Sequence, residues 1–232
     1  MTDAPPDSAR LTRELLLGGG LADMIARSTP AVRVLTDAER RASLHAALAQ
    51  RTEHGGGIWL FAYGSLIWRP EFPVAEARRA RVHGYHRGLY LWSLTHRGTP
   101  EAPGLVLGLD RGGSCAGFAF RLPEDHLDAN LYALWEREMP YASYRPEWLN
   151  CRLDDGSRVR ALGFVLERHL PSYAGALPDN IVEHVLASAQ GHFGSTRDYV
   201  EQTARALREY AMPDLNLEGI LARCCPLRRA QE

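Results

Sequence analysis

The chain has 232 residues, 45% of them hydrophobic and 24% charged, with a formal net charge of −1. This length is enough for one substantial core, and the composition is typical of a soluble globular protein. The near-neutral charge favours neither nucleic acid nor an anionic membrane as a partner, and no apolar run reaches transmembrane length. Because the N-terminus also lacks a secretory pattern, we expect a cytoplasmic protein, and we expect a monomer.

Residues 1–54 are predicted to form a helical extension that packs on a main domain spanning residues 55–225. A short helix is predicted at 11–17, where a run of glycines ends it. A second helix is expected to begin after Thr36, because Thr36 followed by Glu39 forms a capping box, and it should run to about Gln50. The extension contains too few apolar residues to form a core of its own.

The middle of the chain alternates β-rich segments with turns. Strands are predicted at 58–63, 82–93, 104–109, 115–122 and 158–166, with a glycine-rich break at 111–114. One long helix is predicted from Pro123 to about Met139, and further helices at 178–190, 196–211 and 216–223. This mixture of strands and helices predicts an α+β fold.

Two carboxylates lie near the end of the long predicted helix, and helical spacing separates them. Leu127, Leu131, Leu134 and Glu138 follow one another at steps of four, three and four, so Glu138 continues the apolar stripe that faces the core. Glu136 lies about 200° around the helix axis from Glu138 and should face elsewhere. Burial raises the pKa of a carboxyl group, and a general base working near pH 7 requires such a shift.

No metal site or cofactor is expected. The four cysteines lack a Cys-x-x-Cys spacing, and the nine histidines include no His-Glu-x-x-His motif. A serine hydrolase acting through Ser65 would need an activating base, and the flanking residues supply no Gly-x-Ser-x-Gly elbow. Cys115, in the middle of a predicted strand, has no local base that would activate it as a nucleophile.

The segment 58–68, Ile-Trp-Leu-Phe-Ala-Tyr-Gly-Ser-Leu-Ile-Trp, predicts a buried strand that opens into a tight turn. Glycine allows close approach of a ligand to the backbone, and successive N–H groups at such a turn can bind an anion. The string Tyr63–Trp68 resembles the signature loop of the gamma-glutamylcyclotransferases, specifically the ChaC family. Further resemblances follow in order at 82–87, 97–104, 115–122, 137–138 and 191–199, so the likeness covers about residues 58–222.

The resemblance implies a small mixed β-barrel flanked by helices and places the catalytic domain at residues 55–225. It also implies a lyase that cleaves glutathione to 5-oxoproline and Cys-Gly without a cofactor, with Glu138 as general acid and base. The substrate-binding residues expected from it are Leu60, Phe61, Ala62, Tyr63, Gly64, Ser65, Leu66 and Tyr144. The match at Tyr144 is loose, because the run after Glu138 departs from the Lys-Gly-Gly-Tyr of some relatives.

Several alternatives stay open at this point. The alternative functions are a non-catalytic gamma-glutamyl-binding regulator, for example of cation transport, and a cyclotransferase acting on other gamma-glutamyl amines. The Tyr63 hydroxyl is equally compatible with a core position and with ordering Glu138 or the substrate. Arg97 is a candidate for binding a substrate carboxylate, although an arginine in a Gly-Pro loop is usually solvated.

Overall fold

The computed structural model of the protein describes residues 34–52 and 57–224. The elements in chain order are helix α1 (Asp37–Ala49), strand β1 (Trp59–Ala62), a 3₁₀ turn (Ser65–Ile67), strands β2 (Glu76–Ser93) and β3 (Gly104–Arg121), helix α2 (Leu127–Glu138), strands β4 (Tyr144–Leu153) and β5 (Arg158–Leu166), helix α3 (Asp179–Ser188), the short strands β6 (Gln190–Gly191) and β7 (Gly194–Ser195), and helices α4 (Thr196–Glu209) and α5 (Leu215–Cys224). The helix predicted at 11–17 lies outside the described residues. None of the described helices is both long and apolar enough to cross a membrane.

Five strands form a closed barrel in the order β1-β3-β2-β4-β5. The barrel closes where β1 runs parallel to β5, with Trp59 opposite Ala161 and Leu60 opposite Leu162. The remaining main pairings are antiparallel, and the longest joins β2 to β3. The predicted α+β fold, a small mixed β-barrel flanked by helices, is therefore confirmed.

The alternation of side chains along the strands produces two apolar layers. One cluster takes residues from all five barrel strands and none from a helix, and it fills the barrel interior: Phe61, Val82, Leu109, Cys115, Leu149, Cys151 and Val165 are among its members. The alternate positions, such as Leu60, Phe120 and Leu162, join residues of the helices in a larger cluster on the outside of the barrel. This arrangement is expected when a closed sheet is also covered on its outer face.

The strand predictions were wrong at three points. Strand β2 begins at Glu76 rather than at residue 82, and the glycine-rich segment 111–114 is a bulge within β3 rather than a break between two strands. Gly112 and Gly113 have φ values of 104° and 66°, which glycine adopts without strain. Strand β4 was missed altogether, because Pro146 and its charged neighbours argue against a strand in a segment that pairs with β5 from Tyr144 to Arg152.

The helix signals were more accurate. Thr36 and Glu39 form the expected capping box, in which the Glu39 N–H donates to Thr36 Oγ1 and the Thr36 N–H donates to Glu39 Oε2. Helix α2 begins at Leu127, later than predicted, because His126 adopts a left-handed conformation with φ 59°. Ser195 caps α4 through a hydrogen bond from the Asp198 N–H, and the helix begins at residue 196 as predicted.

Residues 34–52 of the extension lie against the barrel. Leu44 and Ala47 of α1 are buried. The Trp148 Nε1–H donates to the Ala47 carbonyl oxygen over 2.8 Å, and the Trp135 Nε1–H donates to Ser43 Oγ over 3.3 Å. Both contacts join α1 to the main domain, while the division of the chain at residues 54 and 55 stays a prediction.

We expect Trp148→Phe to lower the free energy of unfolding by roughly 1–2 kcal/mol, because it removes a buried hydrogen bond between α1 and the barrel. Urea denaturation followed by circular dichroism measures the change. His45→Ala, on the exposed face of α1, is the control and should stay within about 0.5 kcal/mol of the wild type. Equal stability of Trp148→Phe and the wild type would show that α1 does not unfold together with the barrel.

Candidate active site

Glu138 is the last residue of α2, and its side chain is only 16% exposed. The same helix buries Leu131 and Leu134 against the core, as the four-and-three spacing predicts. Glu136 is exposed and lies at the rim of the same cavity. The structure therefore separates the two carboxylates in the way that helical geometry requires.

Arg137 joins Glu138 to the turn that follows β1. Its Nε–H donates to Glu138 Oε1 over 3.0 Å, and its Nη2–H donates to Ser65 Oγ over 3.1 Å. Its Nη1–H donates both to the Arg69 carbonyl oxygen and, over 2.9 Å, to Glu71 Oε2. One guanidinium thus fixes the position of the end of α2 relative to the Ser65–Ile67 turn.

Burial raises the pKa of the Glu138 carboxyl above its ordinary value. The adjacent Arg137 guanidinium lowers it again through its charge and its hydrogen bond, and the Glu71 carboxylate adds a further increase. Burial outweighs the neighbouring cation, so Glu138 holds a proton more strongly than a solvated glutamate does. A carboxylate with a raised pKa accepts a proton more readily than a solvated one, which suits general acid–base chemistry.

Two buried tyrosines, Tyr63 and Tyr199, and the partly buried Tyr144 lie near the turn. The Tyr63 hydroxyl donates to the Phe164 carbonyl oxygen over 2.8 Å, and Tyr144 donates to the Leu107 carbonyl oxygen over 3.5 Å. Burial raises the pKa of Tyr199 to about 12 and raises the pKa values of Tyr63 and Tyr144 well above their ordinary value. All three are therefore neutral hydroxyl groups at physiological pH.

The turn itself is constrained at Gly64. A Cβ atom there would lie 3.1 Å from Tyr199 Oη, so a larger residue would force the turn away from the tyrosine. On the other side, Arg87 Nη1–H donates to the Tyr63 carbonyl oxygen over 2.7 Å. The first N–H groups of a helical turn have no partner within the turn and can bind a ligand oxygen.

A cavity of about 480 Å³ opens beside these residues, a volume in the range of small-molecule sites. Of the residues predicted from the sequence, Glu138, Ser65 and Tyr144 line it. The side chains of four others lie in the apolar core, where they support the turn from behind: Leu60, Phe61, Ala62 and Leu66. Tyr63 is also buried. Gly64 has no side chain, so only its backbone can contact a ligand.

Arg97 also lines the cavity, and the expectation that it is solvated was wrong, since the residue is only 8% exposed. Sequence reasoning missed Arg69 and Glu71, which line the same cavity. The Arg69-Pro70-Glu71 segment follows the signature turn directly, and its closeness to the turn in sequence was the available signal. Its contact with Arg137 spans more than sixty residues and left no local pattern.

The rival nucleophiles gain no support from the geometry. Ser65 Oγ receives a hydrogen bond from Arg137, which is only a donor and cannot serve as a base. Cys115 is buried in the barrel interior, and burial raises the pKa of its thiol. Within residues 34–52 and 57–224, no group of three or more His, Cys, Asp or Glu side chains is placed to hold a metal ion.

The ChaC-like protein family matches residues 58–224 of this chain. The chain is similar to the glutathione-specific gamma-glutamylcyclotransferase of Escherichia coli (strain K12), at 36% identity over 79% of this chain and 79% of that protein. It is similar to glutathione-specific gamma-glutamylcyclotransferase 1 of Homo sapiens, at 27% identity over 75% of this chain and 84% of that protein. A crystal structure of a gamma-glutamyl cyclotransferase specific to glutathione from yeast has a TM-score of 0.67 at 20% identity, covering 77% of this chain and 100% of that one, which shows the fold.

We expect the two neighbours of Glu138 to change its pKa in opposite directions. Arg137→Met removes the opposing cation and should raise the pKa of Glu138 further. Glu71→Gln removes a nearby negative charge and should lower it. A pH titration of the Glu138 carboxyl carbon by NMR measures both changes.

Glu136→Gln is the matched control for this titration and should leave the pKa of Glu138 unchanged, because Glu136 is exposed and is not among the groups that shift that pKa. Arg137→Lys keeps the cation and should give a smaller increase than Arg137→Met. A wild-type pKa at or below that of a solvated glutamate would contradict the burial argument.

Proposed function

The chain belongs to the ChaC-like protein family, and from that premise we propose that it is a gamma-glutamylcyclotransferase that cleaves glutathione to 5-oxoproline and Cys-Gly. One observation carries the proposal: a buried carboxyl group with a raised pKa, Glu138, lies in a cavity and is joined through Arg137 to the Ser65–Ile67 turn. This combination provides a proton-transfer group next to a backbone turn that can hold the substrate.

The reaction is an intramolecular attack. The α-amine nitrogen of the γ-glutamyl group bonds to its own γ-carbonyl carbon, which closes a five-membered lactam and then breaks the bond to the departing amine. Because both reacting groups belong to one molecule, their proximity is largely present in the substrate already. The protein must supply a folded substrate conformer, a proton acceptor, stabilisation of the oxyanion and a proton for the leaving group.

Glu138 is proposed to act as both base and acid. As a carboxylate it accepts the proton from the attacking α-amine, and as a carboxylic acid it returns that proton to the departing nitrogen of Cys-Gly. The raised pKa supports this cycle, because it makes the Glu138 carboxylate a stronger proton acceptor than a solvated glutamate. Arg137 keeps the carboxyl group oriented through its 3.0 Å hydrogen bond.

The backbone N–H groups of the Tyr63–Leu66 turn are proposed to bind the γ-glutamyl end and the developing oxyanion. Removing one oxyanion donor of this kind costs about 3–4 kcal/mol of transition-state stabilisation. Tyr144 lines the cavity and is proposed to contact the substrate through its neutral hydroxyl. The Tyr63 hydroxyl donates a hydrogen bond to the Phe164 carbonyl oxygen, and so Tyr63 supports the site from within the core.

Of the two alternatives, the non-catalytic binding module is disfavoured by Glu138, because a binding site has no need of a carboxyl group whose burial is costly. A cyclotransferase that acts on other γ-glutamyl amines uses the same reacting atoms and remains the second candidate. A cytoplasmic location and a monomeric state stay predictions. The free thiols of the buried Cys115 and Cys151 are consistent with a reducing compartment.

We expect the wild-type protein to release 5-oxoproline from glutathione, and we expect Glu138→Gln to lose roughly 10²–10⁴-fold in kcat/KM while remaining folded. The amide keeps the shape of the side chain but cannot exchange the proton. Chromatographic detection of 5-oxoproline measures the rate, and circular dichroism confirms folding.

Glu136→Gln is the matched control, two residues earlier on the same helix, and should keep most of the activity. Equal losses from both substitutions, or full activity of Glu138→Gln, would overturn the assignment of the base. No 5-oxoproline from the wild type at any substrate concentration would favour the non-catalytic alternative.

We also expect glutathione to exceed γ-glutamyl-alanine by at least roughly tenfold in kcat/KM, which corresponds to about 1.4 kcal/mol. Both substrates present the same reacting centre, so the difference must come from contacts to the Cys-Gly end. Competition assays with both substrates at equal concentration measure the ratio. Comparable turnover would establish the broader cyclotransferase and leave the reaction class intact.

A further inference from the structure

Arg97 differs from the other arginines that line the cavity in having no carboxylate partner. Arg69 pairs with Glu71 at 2.5 Å, and Arg137 pairs with both Glu71 and Glu138. Across residues 34–52 and 57–224, no carboxylate oxygen lies within 4.0 Å of the Arg97 guanidinium, although the residue is only 8% exposed. The Asp198 carboxylate acts on the Arg97 charge only from beyond that distance. A buried cation without a direct ion-pair partner is costly, and its place in a cavity fits a ligand that supplies the missing negative charge.

The direct contacts of the Arg97 guanidinium orient it without forming an ion pair. Its Nη1–H donates to the Phe193 carbonyl oxygen, and its Cζ lies 5.3 Å from the centre of the Tyr199 ring. Burial lowers the pKa of Arg97 from its ordinary value, so its surroundings stabilise the positive charge less than water does. The donors that Phe193 leaves unused are available to a bound carboxylate, which Arg binds through two parallel hydrogen bonds.

The backbone around Arg97 is rigid, as a preformed ligand site requires. Its N–H donates to Ser93 Oγ over 3.0 Å, and its carbonyl oxygen accepts from Thr196 Oγ1 over 3.3 Å. A Cβ atom at Gly104 would lie 2.3 Å from the Arg97 carbonyl oxygen, and one at Gly191 would lie 2.6 Å from its nitrogen. Because these two residues are glycines, the backbones of β3 and β6 can pack directly against the backbone of Arg97.

Tyr199 places Arg97 relative to the reacting centre. Its hydroxyl group lies 3.1 Å from the position of a Cβ atom at Gly64, while its ring faces Arg97. A substrate whose γ-carbonyl lies at the turn therefore has Arg97 on the far side of one tyrosine ring. Two extended residues span at most about 7 Å, which is the reach of the Cys-Gly portion beyond the scissile bond.

We propose that Arg97 is a specificity-determining residue that binds the C-terminal carboxylate of the peptide portion of the substrate. The proposal rests on the cyclotransferase function proposed above. It identifies the residue that recognises the Cys-Gly leaving group. It accounts for a buried arginine that the chemistry of lactam closure does not itself require. The contact is remote from the reacting atoms, so it should act mainly on KM.

The test is a double-substitution cycle between protein and substrate. The wild type and Arg97→Gln are each assayed with glutathione and with glutathione amide, in which the glycine carboxylate is a neutral carboxamide. We expect the wild type to lose about 10- to 100-fold in kcat/KM on the amide, and Arg97→Gln to lose a similar factor on glutathione. Arg97→Gln should turn over the two substrates at nearly equal rates, because the partners of one interaction have both been removed.

Two further variants keep the test decisive. Arg97→Lys retains the cation and should recover part of the preference for the carboxylate. Arg205→Gln, on the exposed face of α4, is the matched control and should discriminate between the substrates as the wild type does. Thermal unfolding of each variant establishes folding, and the comparison of the two substrates on the wild type needs no variant.

The outcomes separate the two proposals. A wild type that cleaves glutathione and its amide equally well overturns the role of Arg97 and leaves the cyclotransferase intact. Equal losses of Arg97→Gln on both substrates, with a wild type that prefers glutathione, also overturn it and point to the α-carboxylate as the group that Arg97 binds. A wild type that releases no 5-oxoproline from either substrate removes the proposed function and this inference with it.

Discussion

The Arg137 guanidinium is the interaction on which the candidate site depends. It distributes its donors among Glu138, Ser65, Glu71 and the Arg69 carbonyl oxygen, and so it joins the end of α2 to the segment after β1. These segments are far apart in sequence, and neither contains the full site. Because the same cation also opposes the effect of burial on Glu138, its position controls both the geometry of the carboxyl group and its affinity for a proton. Positioning and pKa control therefore come from one side chain.

A second arginine supports the turn from the opposite side. Arg87 is buried in β2, donates to the Tyr63 carbonyl oxygen and forms an ion pair with Asp214 at 2.7 Å. Asp214 in turn accepts from the N–H groups of Asn216 and Leu217 at the start of α5. The turn is thus held between two charge networks that reach different helices. Since such a buried pair adds little net stability over apolar residues, its value here lies in fixing one backbone conformation.

The sequence predicted what depends on local patterns and missed what depends on distant contacts. The capping box of α1 and the inward position of Glu138 follow from short-range spacing, and the structure agrees with both. The strand β4 was missed because Pro146 argues against a strand, and only pairing with β5 overrides that preference. The burial of Arg97 could not be predicted from local sequence either, because the residues that enclose it come from β3, β6 and α4. The resemblance of the signature turn identified the site, but it did not indicate which side chains reach the cavity.

The arginines of the cavity differ in how their donors are used, and this difference follows from where carboxylates are available. Arg137 is surrounded by acceptors of the protein itself, so it can hold the site in shape before any substrate arrives. Arg97 has a backbone carbonyl and an aromatic ring as its direct contacts, which orient the guanidinium, and the Asp198 carboxylate acts on it only from beyond ion-pair distance. A cation satisfied by the protein gives little affinity for an anion, whereas one that is oriented and unpaired gives both affinity and selectivity. The same residue type therefore serves preorganisation at one end of the cavity and recognition at the other.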